Sequence, residues 1–92
     1  MKKKVFYLTA VEKWGQGFIL DMLIEECAEL IQAIQHFKRR REHSFTNILE
    51  ETADVEIIIE NFKESLKNQI FEYRSIKNKK LQRAIKKIES QP

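Results

Sequence analysis

Two clusters of carboxylates lie inside segments that otherwise carry a helical apolar pattern, and this combination strongly constrains the fold. Residues 25–29 read EECAE, and residues 50–54 read EETAD. Residues three apart share one face of an α-helix, so Glu26 and Glu29 can reach one ion, as can Glu51 and Asp54. In an antiparallel helical hairpin the two pairs face each other. The sequence therefore predicts a helical hairpin that holds a cation.

The chemistry of these four carboxylates indicates which cation. Mg²⁺ and Mn²⁺ prefer carboxylate and water oxygens, whereas zinc or copper would call for His or Cys ligands. A di-iron bundle would need Glu-x-x-His pairs, and neither His36 nor His43 follows a Glu at that spacing. Like charges crowded within one helical turn also destabilise the helix unless a cation offsets them. We therefore predict a Mg²⁺ site, with Mn²⁺ as the alternative ion.

Helix-breaking residues are rare, because the 92 residues include only two glycines and one proline. Such a composition predicts one all-α domain over residues 1–92, with long helices in a four-helix bundle-like arrangement. A first helix from about Val5 should stop at Gly15-Gln16-Gly17, and a second should run from about Phe18 to Arg40. Ser44 or Thr46 can cap the third helix, and the fourth should span about 69–89.

The apolar periodicity predicts which helical faces are buried. In the second helix, a stripe with i, i+3, i+4 spacing should border the core, with Glu26 at its edge and Glu29 leaning outward. The third helix is apolar on more than one side, so it should lie centrally or at a subunit interface of a homodimer or homotetramer. The second-helix stripe comprises Leu20, Leu23, Ile24, Cys27, Leu30, Ile31 and Ile34. The third helix carries Ile48, Val55, Ile59 and Phe62, with Leu49, Ala53, Ile57 and Ile58 off that stripe.

The net charge of +3 conceals an acidic middle and a basic C-terminal segment. The basic residues are either phosphate ligands or the solvated face of an amphipathic helix. A basic nucleic-acid-binding or protein-interaction module without catalysis is the alternative function, but it leaves the acidic pairs unexplained. No segment approaches membrane length, and the single Cys27 excludes an intramolecular disulfide, so we expect a cytoplasmic protein without a membrane partner.

The two acidic motifs and their surroundings resemble a known family. EECAE matches an EExxE motif, and residues 51–54, ETAD, match an ExxD motif. Together they are similar to the motifs of the MazG-like all-α nucleoside triphosphate pyrophosphohydrolases, which are related to dimeric dUTPases, dCTPases and phosphoribosyl-ATP pyrophosphohydrolase. The resemblance extends from about Val11 to Ile88. Trp14-Gly15 is similar to the family's start, and Lys80-Leu81-Gln82-Arg83 to its phosphate-binding segment.

The resemblance implies an enzyme that hydrolyses a nucleoside triphosphate between the α and β phosphates, giving the monophosphate and pyrophosphate. It implies Mg²⁺ held by Glu26, Glu29, Glu51 and Asp54. Glu25 would orient or deprotonate the attacking water, or hold a further ion. Lys80 and Arg83 would contact the phosphates, and Trp14 is a candidate to stack on the base.

Overall fold

The scarcity of helix breakers corresponds to a chain that is helical almost throughout. A computed structural model describes residues 1–39 and 45–92. Three α-helices follow one another, α1 at Lys3–Lys38, α2 at Phe45–Glu64 and α3 at Ile70–Glu89, with a 3₁₀ turn at Lys67–Gln69. These ranges contain no strand, which confirms the all-α class. Thr46 lies inside α2 and is not its cap, while Ser44 falls outside the described residues.

Helix α1 is divided at Gly15 into a short arm, residues 3–14, and a long arm, residues 16–38. Gly15 has φ 77° and ψ 162°, a conformation open almost to glycine alone. Its neighbours Gln16 and Gly17 already belong to the long arm. The helix stop predicted at Gly15-Gln16-Gly17 is therefore confirmed, and Gly15 alone makes it.

Replacing Gly15 or Gly17 with alanine should change the unfolding free energy in opposite directions. Gly15→Ala forces a side chain into a disfavoured conformation, which should cost about 1–3 kcal/mol of unfolding free energy. Gly17→Ala, inside a helix, should stabilise by about 0.4–1 kcal/mol. Neither new Cβ would meet another atom within 4 Å, so backbone conformation alone separates the two variants. Urea unfolding measures both, and shifts of the same sign would contradict the assignment of the break.

The long arm and α2 form an antiparallel pair, which we call the acidic hairpin. At one end the rings of Phe37 and Phe45 lie 5.5 Å apart. At the other, Gln16 Nε2 donates a 3.0 Å hydrogen bond to Ser65 Oγ. The short arm lies against another side of α2, where Tyr7 shares a shallow cleft with Ile57. Helix α2 thus contacts both arms of α1 and occupies the central position expected of the third helix.

The apolar stripe of the long arm faces outward, so its predicted place against the core is wrong. Ile24 is 70% exposed and Ile31 is 56% exposed. The hairpin instead packs through a different face of the helix, on which Ile19 and Ala33 are buried. On α2, Ile58 is only 4% exposed although it lies off the predicted main stripe. Within residues 1–39 and 45–92, the buried residues are Tyr7, Ala10, Ile19, Ala33, Ile58 and Asn61.

Helix α3 leaves the hairpin soon after it begins. Lys63 Nζ lies 5.7 Å from the ring centroid of Tyr73, and Ile70 and Arg74 share a cleft with Lys4. Every residue from Arg74 to Pro92 is exposed. Within one chain, therefore, α3 does not pack along the hairpin as the fourth member of a bundle. None of the described helices is long and apolar enough to span a membrane.

Candidate metal centre

The acidic hairpin brings carboxylates from its two helices to one place. Carboxylate oxygens of Glu26, Glu51 and Asp54 all lie within 4.8 Å of one another. Glu29 is exposed on the long arm, and its charge acts on both Glu26 and Glu51. Three of the four residues predicted as metal ligands therefore meet, one from the long arm and two from α2, and Glu29 lies near them.

Two of these carboxylates have an oxygen that lacks a partner. Glu26 Oε2 and Glu51 Oε2 are inaccessible to solvent and have no hydrogen-bond partner. A buried polar atom in this state costs free energy that a donor or a cation would recover. Oxygens on opposite sides of a Mg²⁺ ion lie about 4.2 Å apart, so small side-chain rotations would suffice from the observed separation. The donor set fits a hard divalent cation.

The neighbouring residues define how open this centre is. Thr52, between Glu51 and Asp54, donates from Oγ1 to the carbonyl oxygen of Ile48 at 2.7 Å, so its hydroxyl is directed to its own helix. A surface cleft borders the cluster, and Glu29 and Glu51 form part of its wall. The other lining residues are Gln32, Ala33, His36 and Asn47. The carboxylates are thus reachable by a solute through the side of the hairpin.

Crowding changes the acidity of the two half-buried glutamates. Desolvation, reinforced by the charges of Glu29, Asp54 and Glu51, raises the pKa of Glu26 above its ordinary 4.5. Desolvation is also the largest cause that raises the pKa of Glu51. The negative charges of Glu29, Asp54 and Glu50 raise it further. Both carboxylates therefore resist ionisation in the folded protein when no cation is present.

The raised pKa values predict how stability depends on pH. From about 4.5 upward, the folded protein retains protons that the unfolded chain has lost, so the unfolding free energy of the metal-free protein should fall with rising pH. The loss should be complete once the pH exceeds the raised pKa values. Bound Mg²⁺ favours the ionised carboxylates and should stabilise more at pH 8 than at pH 5.

Thermal melts in EDTA and in MgCl₂, at both pH values, measure this dependence. At a Mg²⁺ concentration tenfold above its Kd, the stabilisation should reach about 1.4 kcal/mol. Glu51→Gln removes one titrating group and should flatten the pH dependence in EDTA. A Mg²⁺ effect that is equal at both pH values would contradict the account.

The other predicted functional residues lie apart from the cluster. Glu25 is exposed on the long arm beside Glu26, and Lys80 and Arg83 are exposed on α3. Trp14 is 39% exposed at the break in α1. Its ring lies 6.4 Å from that of Phe6 and 5.6 Å from that of Phe18. The structure thus gives Trp14 aromatic packing partners within the chain.

Asn61 is a buried polar residue that the sequence analysis did not single out. It has no exposed surface, and neither Oδ1 nor Nδ2 has a hydrogen-bond partner. Residues 51, 54, 58 and 61 follow helical spacing, so Asn61 continues the face of α2 that carries Glu51 and Asp54. That spacing was the signal available from the sequence. A buried amide without a partner weakens the hairpin beside the carboxylates.

Comparison with protein-family models, with curated proteins and with solved structures finds no match to this chain.

Proposed function

We propose that this protein is a MazG-like, Mg²⁺-dependent nucleoside triphosphate pyrophosphohydrolase of the cytoplasm. It cleaves a ribo- or deoxynucleoside triphosphate between the α and β phosphates, and it releases the monophosphate and pyrophosphate. The protein acts as a homo-oligomer, a dimer or a tetramer.

One observation carries the proposal. Three carboxylates from an EExxE and an ExxD motif meet between antiparallel helices, with a fourth, Glu29, near them, and two of the three bury an oxygen without a partner. An interaction surface gains nothing from this arrangement, because the crowded charges oppose folding until a cation is bound. A substrate that brings divalent cations with it, as a triphosphate does, suits such a centre.

Each predicted functional residue has a role that follows from its position. Glu26, Glu29, Glu51 and Asp54 would hold Mg²⁺, and Mn²⁺ could replace it. When bound, the metal neutralises phosphate oxygens and lowers the pKa of water. Glu25, exposed next to Glu26 in the chain, orients the attacking water or accepts its proton. Lys80 and Arg83 bind phosphate oxygens by charge-assisted hydrogen bonds, and Trp14 is the candidate for contact with the base.

Product analysis across a panel of nucleoside triphosphates tests the proposal. Ribo- and deoxynucleotides are incubated with MgCl₂, and pyrophosphate and inorganic phosphate are measured separately. We expect pyrophosphate with an equal amount of monophosphate, and no release in EDTA. Diphosphate with inorganic phosphate would contradict the cleavage position, and no turnover with any nucleotide would contradict the enzyme.

A basic interaction module is the alternative, and the exposure of α3 is the observation in its favour. Residues 70–89 carry seven basic and two acidic side chains. Binding of an oligonucleotide that weakens steeply with salt, without triphosphate hydrolysis, would favour that module. Mg²⁺-dependent thermal stabilisation that Glu51→Gln abolishes would favour the enzyme.

A further inference from the structure

The long arm of α1 presents an apolar face that nothing in residues 1–39 and 45–92 covers. We call it the outer face, and it consists of Leu20, Leu23, Ile24, Cys27, Ala28 and Ile31, which line one groove. It lies on a different side of the helix from the buried Ile19 and Ala33. Contiguous exposed apolar surface of this kind marks an interaction site.

Helix α3 carries a second uncovered apolar surface, which we call the α3 stripe. Leu81, Ile85 and Ile88 follow i, i+4, i+7 spacing and are all exposed, Ile88 by 70%. Ala84, also exposed, lies along the same side. Most of the stability of a helix in a protein comes from packing of its amphipathic face, and in the described part of the chain nothing packs on the α3 stripe. Helix α3 would therefore gain stability from a partner.

The charges beside the two surfaces are complementary. Residues 16–38, which carry the outer face, have one lysine and four acidic side chains, of which Glu26 and Glu29 belong with the carboxylate cluster on the side of α2. Asp21 and Glu25 are exposed on this arm. Helix α3 is strongly basic, and Lys77 and Lys80 are exposed along it. An acidic helix with an apolar face and a basic helix with an apolar stripe favour each other over pairing with a copy of themselves.

We infer that the α3 stripe of one copy docks on the outer face of a second copy, reciprocally about a two-fold axis. This inference rests on the self-association proposed above and does not depend on hydrolysis. A two-fold arrangement satisfies both surfaces of both copies and leaves no open end.

Thiol cross-linking tests the docking, because Cys27 lies in the outer face and is the chain's one cysteine. Ala84→Cys places a second thiol on the α3 stripe, and a short bis-maleimide links thiols that lie close together. We expect a covalent dimer for Ala84→Cys. Ser75→Cys, on the opposite side of α3, should give little dimer under the same conditions.

Replacing Cys27 shows which two surfaces the cross-link joins. Ala84→Cys combined with Cys27→Ser should lose the cross-link. A link that persists in that double variant would mean that two α3 helices pair. A dimer formed by the wild type would mean that two outer faces pair, and equal yields from Ala84→Cys and Ser75→Cys would mean non-specific collision. Each of these three results would overturn the docking.

Light scattering separates failure of the docking from failure of self-association. The wild type should be at least a dimer at micromolar concentration. Ile24→Asp should give a monomer with unchanged helical circular dichroism, because Ile24 is exposed within one chain. A monomeric wild type would overturn self-association itself. A wild-type dimer that Ile24→Asp leaves intact would overturn the outer face as its interface.

Discussion

Glu51→Gln should lower the kcat/KM for Mg²⁺-dependent triphosphate hydrolysis by at least about a thousandfold. The amide keeps the size and shape of the side chain but removes the charge of a ligand whose Oε2 is buried without a partner. In EDTA the same variant should be no less stable than the wild type, because it relieves repulsion from Glu29 and Asp54.

A matched change on the same helix serves as the control. Glu56→Gln also removes one negative charge from α2, but Glu56 borders the cleft next to the short arm and not the carboxylate cluster. Steady-state kinetics on the three proteins, with melts in EDTA and in MgCl₂, make the comparison. Turnover retained by Glu51→Gln, or equal losses in both variants, would remove the metal assignment.

Lys80→Ala and Arg83→Ala should each lower kcat/KM by about ten- to a hundredfold, because each removes a charge-assisted contact to the triphosphate. Lys86→Ala and Lys87→Ala, nearer the end of α3, should change it little. All four side chains are exposed and lie on one helix, so the controls match in surroundings as well as in charge. Small, equal effects at all four positions would mean that these residues form a solvent-exposed helix face and do not contact the triphosphate.

The meeting of carboxylates from the two acidic motifs could be predicted because it depends on local geometry. Helical spacing places Glu26 with Glu29 and Glu51 with Asp54, and an antiparallel turn between the helices brings the pairs together. The break at Gly15 was also predictable, since few other residues adopt its conformation. Both features follow from a few consecutive residues and need no knowledge of what packs against them.

The burial of the long arm could not be predicted in the same way. Periodicity identifies an apolar stripe, but it does not say whether the stripe faces the same chain or another one. Here the hairpin packs through Ile19, Ala33 and the half-buried Glu26, while Ile24 remains exposed. Asn61 was missed for a related reason, because a polar side chain inside a helical segment is ordinarily placed on the solvent side.

Mn²⁺ binding measured by electron paramagnetic resonance tests the metal centre most directly. The free ion gives a sharp six-line spectrum that broadens when protein carboxylates bind it, so a titration gives the stoichiometry and Kd without any nucleotide. We predict saturable binding to the wild type, competition by Mg²⁺, and loss of binding in Glu51→Gln but not in Glu56→Gln. An unbroadened spectrum with the wild type, or equal binding by all three proteins, would contradict the assignment of the acidic hairpin as a metal site.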